Sequence, residues 1–224
     1  SGRVFLAGGS GDQDGGVVVS ELKDGTLRQV LGREITRVSM SSSTDGWAIA
    51  QEQVLRLIAG QWREAVPPAP DEPGSYWRDV VAVAPDEAWL VGDGGRIAHL
   101  ASGRWHYSAV PVQSDLRRVV FATDGTGWAM GIRSLEHGLG TDLLHYNGQE
   151  WSVAYSQQGV FVKDLGIDSG GGVWAVGGSS AIRGQDGRWT AMRLPVGSAS
   201  ALSVLGADAG WIVSGTGILA LAGG

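Results

Sequence analysis

The 224-residue chain contains no cysteine, which excludes disulfides, thiolate metal sites and cysteine nucleophiles. Lysine is nearly absent as well: Lys23 and Lys163 stand against fifteen arginines, and Asn147 is the single asparagine. Scarce cysteine and asparagine fit a heat-adapted protein, although a GC-rich coding sequence accounts for the arginine, glycine and alanine equally well. Positive charge is not in surplus either. Seventeen basic against 23 acidic residues give a net charge of −6, so the counterion release that drives binding to nucleic acid or an anionic membrane surface is not available. No apolar run approaches the roughly 18 residues of a membrane-spanning helix, and direct membrane insertion is not expected. The opening SGRVFLAGG lacks the charged start and long apolar stretch of a secretion signal and is expected to be mature chain.

What the chain has instead is glycine and tryptophan: 37 glycines against seven prolines, and ten tryptophans. The glycines fall between short apolar runs, where turns needing positive φ use them. The tryptophans recur. An aromatic opens an apolar run at Phe5, Trp47, Trp89, Trp128, Trp174 and Trp211, at intervals of 42, 42, 39, 46 and 37 residues. A second tryptophan follows a small turn at Trp62 (AGQW), Trp105 (SGRW), Trp151 (NGQEW) and Trp189 (DGRW). Two coupled markers at one period signal a repeat array.

Each unit reads as four strands, A to D. Strand A precedes the first tryptophan. Counting back from that residue, the ninth position holds Val38, Val80, Val119, Leu165 and Leu202, and the seventh holds Met40, Ala82, Phe121, Ile167 and Val204. The twelfth holds Ile35, Trp77, Leu116, Val162 and Ala199. Apolar residues at nine and seven are strand alternation, and the twelfth position implies a bend or bulge before it. Strand B carries the first tryptophan, C follows it, and D starts at the second. Helical stripes with caps do not occur. The expected fold is therefore an all-β propeller of four-stranded antiparallel blades, one domain over 1–224. The first blade lacks A and the last lacks D, so the two terminal blades are incomplete. The count is about six blades, with five or a trimmed seven also compatible with ends that fall in mid-unit.

The pattern L..V.F....GWAVG..G.I......W resembles the repeats of the photosystem II stability and assembly factor family. It is also similar to the broader BNR-like and Asp-box propellers of bacterial surface proteins. The resemblance covers almost the whole chain and implies the fold. The double glycine before the D-strand tryptophan in assembly-factor repeats is approached only by Asp186-Gly187-Arg188-Trp189. The arginine triad and early motif of sialidases are not found.

In such a blade the B–C hairpins and D-to-A crossovers emerge at one end, and the A–B and C–D turns at the other. All long inserts fall at the first end: residues 8–16, the crossover 66–77, and GIRSLEHGLGTD at 131–142. That end is the expected binding surface, for a protein partner or a glycan. The tenth position before the B-strand aromatic holds Arg37, Asp79, Arg118 and Asp164, and the eleventh holds Arg78, Arg117 and Lys163. This charged column reads either as an inter-blade salt-bridge ring or as an open site at the mouth of a channel. Tyr76 lies outside the apolar column and suits a ligand platform, whereas Trp77 shares that column and belongs to the core. Arg133, Glu136 and His137 sit in the longest insert as candidate partner contacts. His99 and His145 share a C-strand position with Arg56 and Arg183, which argues for an exposed strand face and against metal ligation. Asp12-Gln13-Asp14-Gly15 lacks the later acidic ligand of a calcium loop and reads as a turn. No metal or other cofactor is expected.

The leading functional expectation is a non-enzymatic protein-binding scaffold, extracellular, at a cell surface or in the periplasm. A glycan-binding propeller is the alternative. A glycoside hydrolase ranks third. It would need two carboxylates about 5 to 10 Å apart flanking the scissile bond, and Asp79 and Asp164 are the only pair in one column. Their basic neighbours would keep both ionised and leave no general acid. No oligomeric state is indicated.

Overall fold

The computed structural model describes residues 35–50, 53–67, 75–206 and 209–221 together with the backbone of strands 4–9, 17–23, 26–31 and of residue 222. Among these residues, 22 strands form six antiparallel sheets, four of four strands and two of three. The first sheet holds β1 (Val4–Gly9), β2 (Val17–Lys23) and β3 (Thr26–Leu31). The second holds β4 (Ile35–Met40), β5 (Gly46–Ala50), β6 (Gln53–Ile58) and β7 (Gln61–Ala65). In the third are β8 (Trp77–Ala84), β9 (Glu87–Gly92), β10 (Ile97–Ala101) and β11 (Arg104–Ser108). The fourth comprises β12 (Asp115–Phe121), β13 (Gly127–Leu135), β14 (Gly138–Tyr146) and β15 (Trp151–Gln158). The fifth has β16 (Asp164–Ile167), β17 (Val173–Gly177), β18 (Ser180–Gln185) and β19 (Arg188–Arg193). The last has β20 (Ala199–Gly206), β21 (Ala209–Ser214) and β22 (Gly217–Ala222). Every sheet is an up-and-down meander in chain order. Among the described residues, the first and last sheets hold three strands each. No helix among the described residues is long and apolar enough to cross a membrane.

Of the bend or bulge expected from the twelfth position, a bulge is what occurs in four sheets. Register shifts fall between Ile35 and Arg37, Trp77 and Asp79, Leu116 and Arg118, and Ala199 and Ala201. The extra residue is the eleventh in each case: Thr36, Arg78, Arg117 and Ser200. A bulge leaves one residue out of the ladder and re-aims it, so the apolar twelfth residue can be buried while the eleventh is free to carry charge. The C–D turns are equally regular. Ala59-Gly60, Ser102-Gly103 and Asp186-Gly187 all have two positive φ values, the two-residue hairpin geometry that matches strand twist. Glycine takes the second place without strain, and the D-strand tryptophan follows directly.

The chain divides into two compact units, residues 1–92 with 97–108, and 93–96 with 109–224. In the first unit, Trp47, Ile49 and Val54 of one blade bury against Trp77, Val80, Leu90 and Leu100 of the next. In the second, Met130 and Leu143 bury against Leu165, Val173, Ala175 and Ile182, and Val176 and Ala181 against Ala199 and Ile212. In two places a B-strand tryptophan touches the D-strand tryptophan of the next blade. Trp47 meets Trp105 of the following blade edge-on, with centroids 5.5 Å apart. Trp128 meets Trp189 the same way at 5.6 Å.

Candidate functional site

Antiparallel order places the start of strand A, the B–C hairpin and the end of strand D at one end of every four-stranded blade. The opposite end carries only tight turns, held by their own side chains. The Asp168 carboxylate, buried, accepts from the Gly170 and Gly172 amides at 2.9 Å each and from the Trp174 indole N–H at 3.1 Å. Asp124 accepts from the Thr126 amide and hydroxyl, and the Thr126 hydroxyl above all holds its carboxyl below the usual carboxylate range.

At the strand-A end the tenth-position charges are paired between neighbouring blades. Arg37 Nε lies 3.3 Å from Asp79 Oδ1, and Arg118 Nε lies 2.9 Å from Asp164 Oδ1. Asp79 is buried, and Asp164 also accepts from the Leu202 amide of the next blade at 2.8 Å. Within each unit, this is the salt-bridge reading of the column. The eleventh-position cations sit over the thirteenth residue. The Arg78 guanidinium covers the Tyr76 ring at 5.2 Å, Lys163 Nζ lies 5.9 Å from the Phe161 centroid, and Arg117 pairs with Asp115 at 3.7 Å. The Tyr76 ring is therefore shared with Arg78. Phe161 is the member of this column that sequence reading missed. It lies thirteen residues before Trp174, as Tyr76 does before Trp89, and one more step of column counting would have found it. Trp77 is core, stacked on the half-exposed Tyr107.

The insert at 131–142 is not a loop. Strands β13 and β14 run nine residues each, against five or six for the other B and C strands of the four-stranded blades, and they close at Leu135↔Gly138. Glu136 and His137 form the exposed two-residue tip. Arg133 is turned back along the hairpin: Nη1 donates to Asp142 Oδ1 at 2.7 Å, and both Nη atoms reach Ser156 Oγ at 3.2 Å. Asp142 is fully buried. It also accepts from the Ser156 hydroxyl at 2.6 Å and, through its other oxygen, from the Ser114 hydroxyl. A Cβ on Gly140 would lie 3.2 Å from Arg133 Nη2, so the missing side chain lets the guanidinium lie across the strand. The Thr141 hydroxyl donates to the Val160 carbonyl at 2.7 Å and ties the crossover to β14. Arg133 thus joins Asp142, Ser114 and Ser156 rather than Glu136 and His137.

The histidine column also differs from expectation. Arg56, His99, His145 and Arg183 pair across the ladder with the B-strand tryptophans and lie on their rings. Arg56 is 5.2 Å from the Trp47 centroid, Arg183 5.0 Å from that of Trp174, His99 3.8 Å from Trp89 and His145 4.5 Å from Trp128. These four side chains are half-buried lids on the indoles, not an exposed face. His99 Nε2 also lies 3.0 Å from Glu87 Oε1. Asp12–Gly15, with the rest of residues 10–16, and crossover residues 68–74 lie outside the described residues.

No protein-family model matches the chain, and no curated protein matches it. Likeness to solved structures is long in coverage and low in identity. YCF48, a photosystem II assembly factor seen bound to a D1 peptide, is 17% identical over 100% of this chain and 89% of its own, with a TM-score of 0.50. A chain of the nidogen/laminin complex is 12% identical over 98% of this chain and 89% of its own, with a TM-score of 0.65. PorZ, a surface component of the type-IX secretion system of Porphyromonas gingivalis, is 13% identical over 99% of this chain, with a TM-score of 0.70; the match spans 39% of PorZ. The likeness establishes the fold: this chain is a β-propeller of antiparallel blades, similar to the photosystem II assembly factor YCF48.

Proposed function

We propose that this chain, residues 1–224 as one propeller domain, is a non-enzymatic scaffold that holds a protein partner at the strand-A end of its blades, outside the cell or in the periplasm. The observation that carries this reading is the β13–β14 hairpin. It is the longest of the described hairpins and is stiffened by a buried carboxylate. Its tip offers one acidic residue and one histidine to solvent. Stiffening a projecting element before binding reduces the ordering cost of docking. Arg78, Arg117 and Lys163 lie at the same end of their own blades as bulge or crossover residues, well placed for secondary contacts. The pairing of Asp79 with Arg37 and of Asp164 with Arg118 supports a non-enzymatic role, since an ion-paired carboxylate is a poor general acid. Solved propellers of similar fold are seen with a peptide, as YCF48 is, or within a protein complex, as in nidogen/laminin. PorZ is a bacterial surface component, which supports the proposed location.

The test replaces residues 134–139 by a two-residue turn and compares the shortened protein with the parent in cross-linking pull-downs from the native source. A partner recovered by the parent and lost by the shortened protein is expected. Recovery of the same proteins by both, or of none by the parent, would sink the reading.

A further inference from the structure

Four D strands lie at the outer edge of their sheets with described side chains, and they are not alike. Strand β7 (QWREA) carries Arg63 and Glu64, β11 (RWHYS) carries Arg104 and His106, and β19 (RWTAMR) begins and ends with arginine. Strand β15 (WSVAYSQQ) is the longest, at eight residues, and has no charge, no proline and no glycine. An edge strand presents every second N–H and C=O outward and is a template for another strand unless charge, shortness or a bulge blocks it. The three short D strands use charge and length. In β15 the protection is one bulge, between the residues facing Leu143 and Leu144. Ser152, Val153, Ser156, Gln157 and Gln158 along it are exposed.

We infer that β15 is a self-association edge, on which β15 of a second copy of this chain adds antiparallel to extend the fourth sheet across a two-fold axis. Charge selects this occupant. Paired antiparallel with its own copy end to end, β7 sets Arg63 opposite Arg63 and β19 sets Arg188 opposite Arg193. Like charges directly opposite on neighbouring strands are destabilising. The same pairing of β15 sets Trp151 opposite Gln158, Ser152 opposite Gln157 and Val153 opposite Ser156. Any other register also places only uncharged residues together. A two-fold interface of this kind is closed, so it stops at the dimer. It is independent of the partner-binding hairpin tip, because the added strand lies along the sheet edge and not at the β13–β14 turn.

Sedimentation equilibrium over a concentration series tests this with the whole chain. The parent is expected to rise from monomer towards dimer mass. Ser152→Lys with Gln157→Lys, which places lysine opposite lysine, should weaken association by about tenfold or more, and Val153→Lys should act in the same direction. All three positions are exposed, so tryptophan emission, and the melting curve at a concentration where the parent is monomeric, should match the parent and confirm that the variants fold. A parent that stays monomeric up to its solubility limit overturns the inference. So does a dimer that survives the lysine variants unchanged.

Discussion

In the blades built from β4–β11, Trp47 meets Trp105 at an interplanar angle of 78°; in those built from β12–β19, Trp128 meets Trp189 at 77°. Arg37 pairs with Asp79 in the first set and Arg118 with Asp164 in the second. Two stretches of different sequence therefore use one device for stacking sheets and one for sharing charge at the start of strand A. What the second set has and the first lacks is the lengthened β13–β14–β15 segment with its Arg133–Asp142 brace. Parts that recur belong to the scaffold, and the part that occurs once among the described blades is where a specific role is to be sought.

The largest expected effect comes from breaking the shared device. Trp47 is 2% exposed, while Trp128 is only half-buried. Truncating a buried tryptophan removes its transfer energy and leaves a cavity, so Trp47→Ala should cost about 3–5 kcal/mol. Trp128→Ala should cost less, in proportion to the surface it already exposes. Urea unfolding of both variants measures the difference. Equal losses would mean that the two contacts are not graded by burial.

A middle-sized effect separates the sets. Asp142→Asn removes the charge that Arg133 faces while keeping the side chain's size. Hydrogen bonds to a charged group contribute about 1.5–3 kcal/mol each, and Arg133 is partly exposed and can turn to water, so a loss of about 2 kcal/mol is expected. Hydrogen exchange should show faster opening at Gly138–Leu144 with little change in the blades of the first unit. If the two units loosen together, the brace is a global and not a local element.

Much of this was legible in the residues. Strand order and a change of register near the start of strand A follow from where apolar residues fall, because burial imposes a period of two that a bulge shifts by one. The burial of Trp77 followed from its column. The hairpin was not legible. GIRSLEHGLGTD is rich in glycine and charge, and its period-two pattern is polar on both faces, so composition reads as loop. The Arg133–Asp142 pair spans nine residues and appears only once the register sets them on one face. The lids on the tryptophans were missed for a related reason: arginine and histidine can cover an apolar ring with the flat of the side chain and still reach water at its edge. A polarity pattern scores such a residue as exposed.

That last point sets the smallest and sharpest test of the comparison. Each set has one arginine lid and one histidine lid; Arg56 on Trp47 and His145 on Trp128 occupy the same place on their blades, and an imidazole, unlike a guanidinium, changes charge in the range between about pH 5 and 8. Burial pushes the His145 imidazole below its ordinary value of 6.5, and nearby Asp124 only partly offsets this. A histidine whose pKa is lowered by folding takes up its proton first in the unfolded chain. Its contribution to stability is thus complete above about pH 6.5 and declines as the pH falls below that value. Asp124 does not confuse this window, since the Thr126 hydroxyl holds its carboxyl below the usual carboxylate range. Subtracting the stability of His145→Gln from that of the parent, between pH 5 and 8, isolates the lid. The difference should be level above neutrality and shift against the parent on acidification, and Arg56→Gln should give a difference with no such slope. A level line for both would show that His145 is as well hydrated in the folded sheet as in the unfolded chain.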